Sequence, residues 1–147
     1  MDIFSERMIL LGCEGDMMTQ EKGIKGDTVE RVLKVLRNIR TGVTIEEYSL
    51  QDAIAHLLMA SGIPFKKEYK LAPRNRIDFF VEGGVGIEVK KGKPNRTDVV
   101  RQLERYASFG DINTIILVVE RSVNIPARIN GKRCILFGLN RLWGVAL

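Results

Sequence analysis

Two acids and a lysine stand where strands would ordinarily carry only apolar side chains. In RIDFFVEGGVGIEVKK (residues 76–91), Asp78 lies between Ile77 and Phe79, and Glu88 and Lys90 flank Val89. Burying charge beside apolar residues is costly unless the charges are paired or hold a metal ion. The pattern is therefore a structural ion network or a reaction site. Alternation along a strand puts Glu88 and Lys90 on one face, with Ile87 and Val89 on the other. Ile77, Phe79 and Val81 are expected to form one apolar face, with Asp78 opposite. Register decides whether the three charged residues meet. A strict two-residue turn at Gly83-Gly84 pairs 78 with 89 and sends Asp78 to the wrong side. An odd-length loop or a bulge pairs 78 with 88 or 90, and Gly83, Gly84 and Gly86 make either easy. The odd loop or the bulge is expected.

Two carboxylates on adjacent strands suit Mg²⁺, a hard cation that takes oxygen ligands and keeps several of its waters. Asp78 and Glu88 are the candidate side-chain ligands, and the Val89 carbonyl is a further candidate oxygen. Lys90, two residues from Glu88, is placed to orient or deprotonate a water or to offset charge growing on a phosphate. A bound Mg²⁺ or Mn²⁺ lowers the pKa of a ligand water and acts as a Lewis acid. These parts suit phosphodiester hydrolysis.

Apolar periodicity supplies the elements that must hold these residues. Val29, Val32, Leu33, Leu36 and Ile39 repeat at helical spacing from Thr28, with a stop near Thr41-Gly42. A second helix is expected from Thr44, where Thr44 and Glu47 have capping-box spacing. Leu50, Ala53, Ile54, Leu57 and Leu58 form its buried stripe, and Gly62 and Pro64 end it. Strands are expected over 65–71, 76–82 and 85–91, separated by Pro73 and by Gly83-Gly84. A helix over 97–108 turns Val99, Val100, Leu103 and Tyr106/Ala107 inward. The run INTIILVVE (112–120) reads as a strand buried on both faces. Asn130-Gly131 is a turn signal before strand-like residues 134–138. The order helix, three antiparallel strands, helix, strand predicts an α/β sandwich around a mixed sheet.

The spacing Asp78-x(9)-Glu88-Val89-Lys90, within this order of elements over residues 44–120, resembles the PD-(D/E)XK nuclease superfamily. Gln102-Leu103-Glu104-Arg105-Tyr106 on the following helix looks like the Q-x-x-x-Y pattern of its exonuclease and resolvase branches. The resemblance implies a three-layer α/β/α restriction-endonuclease-like fold. It further implies Asp78 and Glu88 as metal ligands, Lys90 as the catalytic lysine, Gln102 near the site, and Tyr106 supporting it or meeting substrate. Many members add an acid from the helix before the sheet, for which Glu47 is the best match. The sequence departs from the signature at Ile77, where the family often has proline. Residues 1–40 and those after 121 carry no resemblance.

A chain of 147 residues reads as a single nuclease domain: a lead-in with a helix over 1–43, a core over 44–120 and a C-terminal strand extension over 121–147. The net charge of +5 is modest, so its distribution matters more than its size. Lys66, Lys67, Lys70, Arg74 and Arg76 run up to the Asp78 strand. Lys91, Lys93, Arg96, Arg101 and Arg105 follow the Glu88 strand. Together with Tyr106 they are the candidate DNA contacts, placed to neutralise phosphates on either side of the site. Arg31, Lys34, Arg37 and Arg40 lie opposite the first helix's apolar stripe as a possible second surface. A single histidine, His56, argues against His-based triads and His-rich metal clusters. Cys13 and Cys134 have no metal-ligand spacing and read as reduced thiols of an intracellular, cytoplasmic protein. The early apolar run MILLGC is too short to span a bilayer. Mg²⁺-dependent cleavage of DNA by a homodimer, directed by structure or ends with little long-site sequence specificity, is the expectation. A non-catalytic nucleic-acid-binding module on the same fold, and an unrelated α/β protein with structural charges, are its rivals.

Overall fold

The computed structural model describes residues 28–39 and 47–139. Among these, helix α1 spans 28–36 and α2 spans Glu47–Ala60. Strands β1 (Phe65–Ala72), β2 (Asn75–Val81) and β3 (Val85–Lys90) follow, then helix α3 (Arg96–Ala107). Strand β4 (Thr114–Val119) precedes the short hairpin of β5 (Arg128–Ile129) and β6 (Lys132–Gly138). The protein is α/β, and the described residues form one six-stranded mixed sheet ordered β1-β2-β3-β4-β6-β5. β1, β2 and β3 pair antiparallel, whereas β3, β4 and β6 run parallel. The expected Thr44 cap and Gly42 stop lie outside the described residues.

Two apolar clusters form on alternate residues of the central strands. Val32 and Leu36 of α1 and Ile54 and Leu58 of α2 pack with Phe79, Ile87, Val89, Ile116 and Val118. Val99, Leu103 and Tyr106 of α3 pack instead with Ile77, Ile115, Leu117 and Val119. Every residue of β4 is buried, as an apolar run covered on both faces requires. Val100 is only half-buried, so the inward stripe of α3 is Val99, Leu103, Tyr106 and Ala107.

Local chemistry explains where the elements stop. The Ile63 amide donates to Leu58 O at 3.0 Å and the Gly62 amide to Met59 O at 3.1 Å, with Gly62 at φ +70°. That pair of bonds is a Schellman cap, and Ile63 and Leu58 are both buried beside it. The Asn95 side chain caps α3 by accepting the Asp98 amide at 3.1 Å. Asn130 and Gly131 both have positive φ and close the β5–β6 hairpin with two residues.

The β2–β3 turn has the expected odd length. Val81 pairs with Val85, Phe80 with Gly86 and Phe79 with Ile87, leaving Glu82, Gly83 and Gly84 as the loop. This parity sets Asp78 opposite Glu88. Gly84 is constrained on two counts: φ is +82°, and a Cβ would collide with the Asn113 side-chain amide and stand 2.9 Å from Asp111 O.

One expectation about faces is corrected. Phe79 and Val81 belong to the cluster under α1 and α2, but Ile77 belongs to the cluster under α3. β1 changes face at the same level, since Phe65 packs with Phe79 whereas Tyr69 and Leu71 join the α3 side. The register from Lys67↔Phe79 to Tyr69↔Ile77 puts Glu68 opposite Asp78. Glu68 has a left-handed backbone, φ +53°. Both strands therefore change face at one level, β1 at Glu68 and β2 between Ile77 and Phe79.

Candidate active site

The β2–β3 backbone ladder stops at Phe79↔Ile87, one step short of the acids. Side chains continue it. The Asp78 amide donates to Glu88 Oε1 at 3.3 Å, and the Val89 amide donates to Asp78 Oδ2 at 2.8 Å. Each carboxylate therefore grips the strand that carries the other. Lys90 Nζ lies 3.4 Å from Glu88 Oε2, so Asp78, Glu88 and Lys90 meet as alternation and loop parity predict.

Glu88 is 4 % exposed and lies in the middle of the sheet. Burial, and then the negative charge of Asp78, push its pKa up from 4.5 to about 7, against a smaller opposing pull from Lys90. At neutral pH this carboxyl is poised between its charged and neutral forms.

Helix α3 braces it from the side. Tyr106 is buried, and its hydroxyl lies 2.8 Å from Arg76 O and 3.3 Å from Glu88 Oε1. Gln102 Nε2 donates to the same hydroxyl oxygen at 2.9 Å. A phenol has one proton to give, so the two acceptors share it while Gln102 fills an acceptor position on the oxygen. Desolvation, reinforced by Glu88 and Asp78, keeps the phenol protonated far above its ordinary range. Tyr106 thus supports Glu88. Its placement among the DNA-contacting residues is corrected, because a side chain 2 % exposed has no surface to offer.

A cleft of about 310 Å³ opens beside Lys90, at the carboxyl end of β3. Asn95, Asp98, Val99, Gln102 and Arg105 of the α3 region are among its other lining residues. They recur at spacings of three and four, which is one stripe of a helix. Gln102 therefore does two things: it lines the cleft and holds the Tyr106 hydroxyl.

The predicted basic residues do not gather in the same way. Lys90 and Arg105 reach the cleft. Lys67 lies 3.4 Å from Asp52 of α2, whereas its neighbour Lys66 lies 5.6 Å from the centre of the Tyr69 ring. The Arg96 guanidinium Nε donates to Asn124 O at 2.9 Å, tying α3 to the segment after β4. Lys70, Arg74, Arg76, Lys91, Lys93 and Arg101 are exposed and do not line the cleft. Glu47 opens α2, and its side chain lies outside the described residues. Nothing in the residue types of Asn95 and Asp98 marks them for a site, although the stripe 95-98-102-105 follows from helical spacing.

The donor set fits a hard divalent cation. Asp78 and Glu88 offer only oxygen, and the charge of Asp78 adds to the cost of ionising Glu88, a cost that a cation held by both carboxylates would offset. Among the described residues no group of three or more His, Cys, Asp or Glu side chains is placed to hold a metal. Mg²⁺ asks for less, being commonly held by one or two carboxylates with waters completing its shell.

Comparison with protein-family models, with curated proteins and with solved structures found no match. Among the described residues no helix is long and apolar enough to cross a membrane.

Proposed function

We propose that this chain is a metal-dependent nuclease that hydrolyses DNA phosphodiester bonds on a restriction-endonuclease-like α/β/α scaffold. The observation that carries the reading is the interlock of Asp78 and Glu88, with Lys90 paired to Glu88 and an open cleft beside it. Asp78 and Glu88 would hold Mg²⁺ or Mn²⁺, which when bound supplies Lewis acidity and a water of lowered pKa. Lys90 is half-buried at the cleft wall. Its ammonium faces where a phosphate would sit and offsets negative charge growing on the phosphate oxygens. Tyr106 and Gln102 keep the Glu88 carboxyl from rotating, which fixes the geometry that Lys90 needs. Arg105, at the same cleft, is a second cation for the phosphate backbone.

The mutual grip of the two acids on backbone amides also favours a second reading, in which the charges serve only to join β2 to β3. The deciding experiment is a cleavage assay with Mg²⁺ or Mn²⁺ on single-stranded, duplex and branched DNA, with Asp78→Ala and Lys90→Ala beside the wild type. Metal-dependent cleavage lost in both variants is expected. Equal products from all three proteins, or none from any, would overturn the nuclease reading.

A further inference from the structure

The cleft beside Lys90 has an acid on its wall where a passage for phosphates would have only cations. Lys90 and Arg105 line it, but so does Asp98, from the first turn of α3. A phosphate facing Asp98 would be repelled, so this part of the cleft suits a different piece of a nucleotide. Resting on the nuclease reading, we infer that the cleft takes one unpaired nucleotide next to the scissile phosphate, and that Asp98 selects guanine there.

Size limits the ligand first. About 310 Å³ lies at the small end of ligand pockets, roughly 300–1,000 Å³, and holds one nucleotide. Along α3 the lining runs from Asn95 to Arg105, about 15 Å at the helical rise, the reach of a short piece of single strand. A duplex keeps its bases stacked and paired inside, so a base enters such a cleft only from an unpaired strand.

Chemistry then selects the base. An ionised carboxylate only accepts hydrogen bonds, and it takes two parallel donors best. Guanine alone presents two adjacent donors on its pairing edge, N1–H and the N2 amino group. Adenine and cytosine set one amino donor beside a ring acceptor, and thymine sets one N–H between two carbonyls. Asp98 is exposed, and its backbone amide is already held by the Asn95 side chain, so the carboxylate projects from a fixed helical turn. Lys90 and Arg105 are left for the flanking phosphates.

The test separates this inference from the nuclease reading by measuring binding without metal. Labelled heptamers of dT carrying one central dG, dA, dC or dT are titrated in EDTA and followed by fluorescence anisotropy. The dG heptamer is expected to bind about tenfold tighter than the others, the discrimination of one bidentate contact. Annealing it to its complement removes the preference. Asp98→Asn abolishes it while leaving the thermal midpoint within a few degrees, and the charge control Glu104→Gln keeps it. With Mg²⁺ added, cuts beside the dG are expected in the wild type and evenly spread cuts in Asp98→Asn. Equal affinity for the four heptamers, no detectable binding of any, or a preference surviving Asp98→Asn overturns the inference. Guanine-selective binding without cleavage would keep it and remove the nuclease reading; cleavage without base preference would do the reverse.

Discussion

The Tyr106 hydroxyl lies 3.3 Å from Glu88 Oε1, linking the buried acid of β3 to the helix that lines the cleft. The same hydroxyl touches Arg76 O and Gln102 Nε2, so one oxygen joins β2, β3 and α3. Tyr106→Phe removes all three bonds and keeps the ring. It should cost about 1–3 kcal/mol, the penalty of leaving buried polar partners unsatisfied. Chemical denaturation checks the stability, and the cleavage assay should show a slower variant that still requires metal.

Glu88 makes stability depend on pH in a stated direction. Its pKa is about 7 in the folded chain and near 4.5 unfolded, so between these values the folded state holds a proton that the unfolded state has lost. Stability from this group is complete below pH 4.5 and is lost as pH rises through 7. The difference is on the order of 3 kcal/mol in the absence of metal. Urea melts in EDTA across pH 5 to 8 should show the decline, and Glu88→Gln should flatten it. Adding Mg²⁺ at pH 8 should restore stability to the wild type by binding the folded state.

Lys90 lowers the Glu88 pKa while paired to it at 3.4 Å. Lys90→Met should therefore move the pH-dependent loss of stability to higher pH. If Lys90 also offsets charge on the phosphate, the same substitution slows cleavage by about 10²–10³-fold. Metal affinity, measured by calorimetry at pH 8, should change far less than the rate.

The turn glycines are unequal. Gly83→Ala meets only the Thr28 side chain, at 3.6 Å from Oγ1, and suffers mainly from its φ of +97°. Gly84→Ala adds a collision with the Asn113 side-chain amide and a contact of 2.9 Å to Asp111 O. A cost of about 1 kcal/mol is expected at Gly83. At Gly84 the cost should be about 3 kcal/mol or more, because strain and overpacking combine. Thermal melts of the two variants side by side decide the order.

Glu68 offers the opposite result. Its left-handed backbone costs a residue with a Cβ about 1 kcal/mol, and its side chain is exposed. Glu68→Gly should stabilise the chain by up to roughly 0.5–1 kcal/mol without disturbing the Asp78–Glu88 pair. A higher denaturation midpoint with unchanged activity is the expected readout.

Much of the site was legible because strand parity is arithmetic. Glu88 and Lys90 share a face whatever surrounds them, and loop length alone decides whether Asp78 joins them. The change of face at Ile77 was not legible, because nothing in FKKEYKL announces a non-glycine residue at positive φ. The Q-x-x-x-Y spacing puts Tyr106 on the helix after β3, supporting the site or meeting substrate. Whether its hydroxyl points to substrate or to core depends on how closely α3 packs on the sheet, a tertiary quantity that spacing does not contain. The scatter of the basic residues has the same origin. Adjacent lysines on β1 go to opposite faces, so a run of charge in the sequence became two separate surfaces.

The kink at Glu68 bears on solubility as well as on the site. Among the described residues β1 is an edge strand, and a flat edge with unpaired backbone groups recruits strands from other molecules. Here the edge is interrupted midway by a left-handed residue and guarded by Lys66, Lys67 and Lys70. An incoming strand would lose register after three or four residues and meet like charge if it came from a second copy. The left-handed residue that lies across from Asp78 thus makes β1 a poor template for edge-to-edge aggregation.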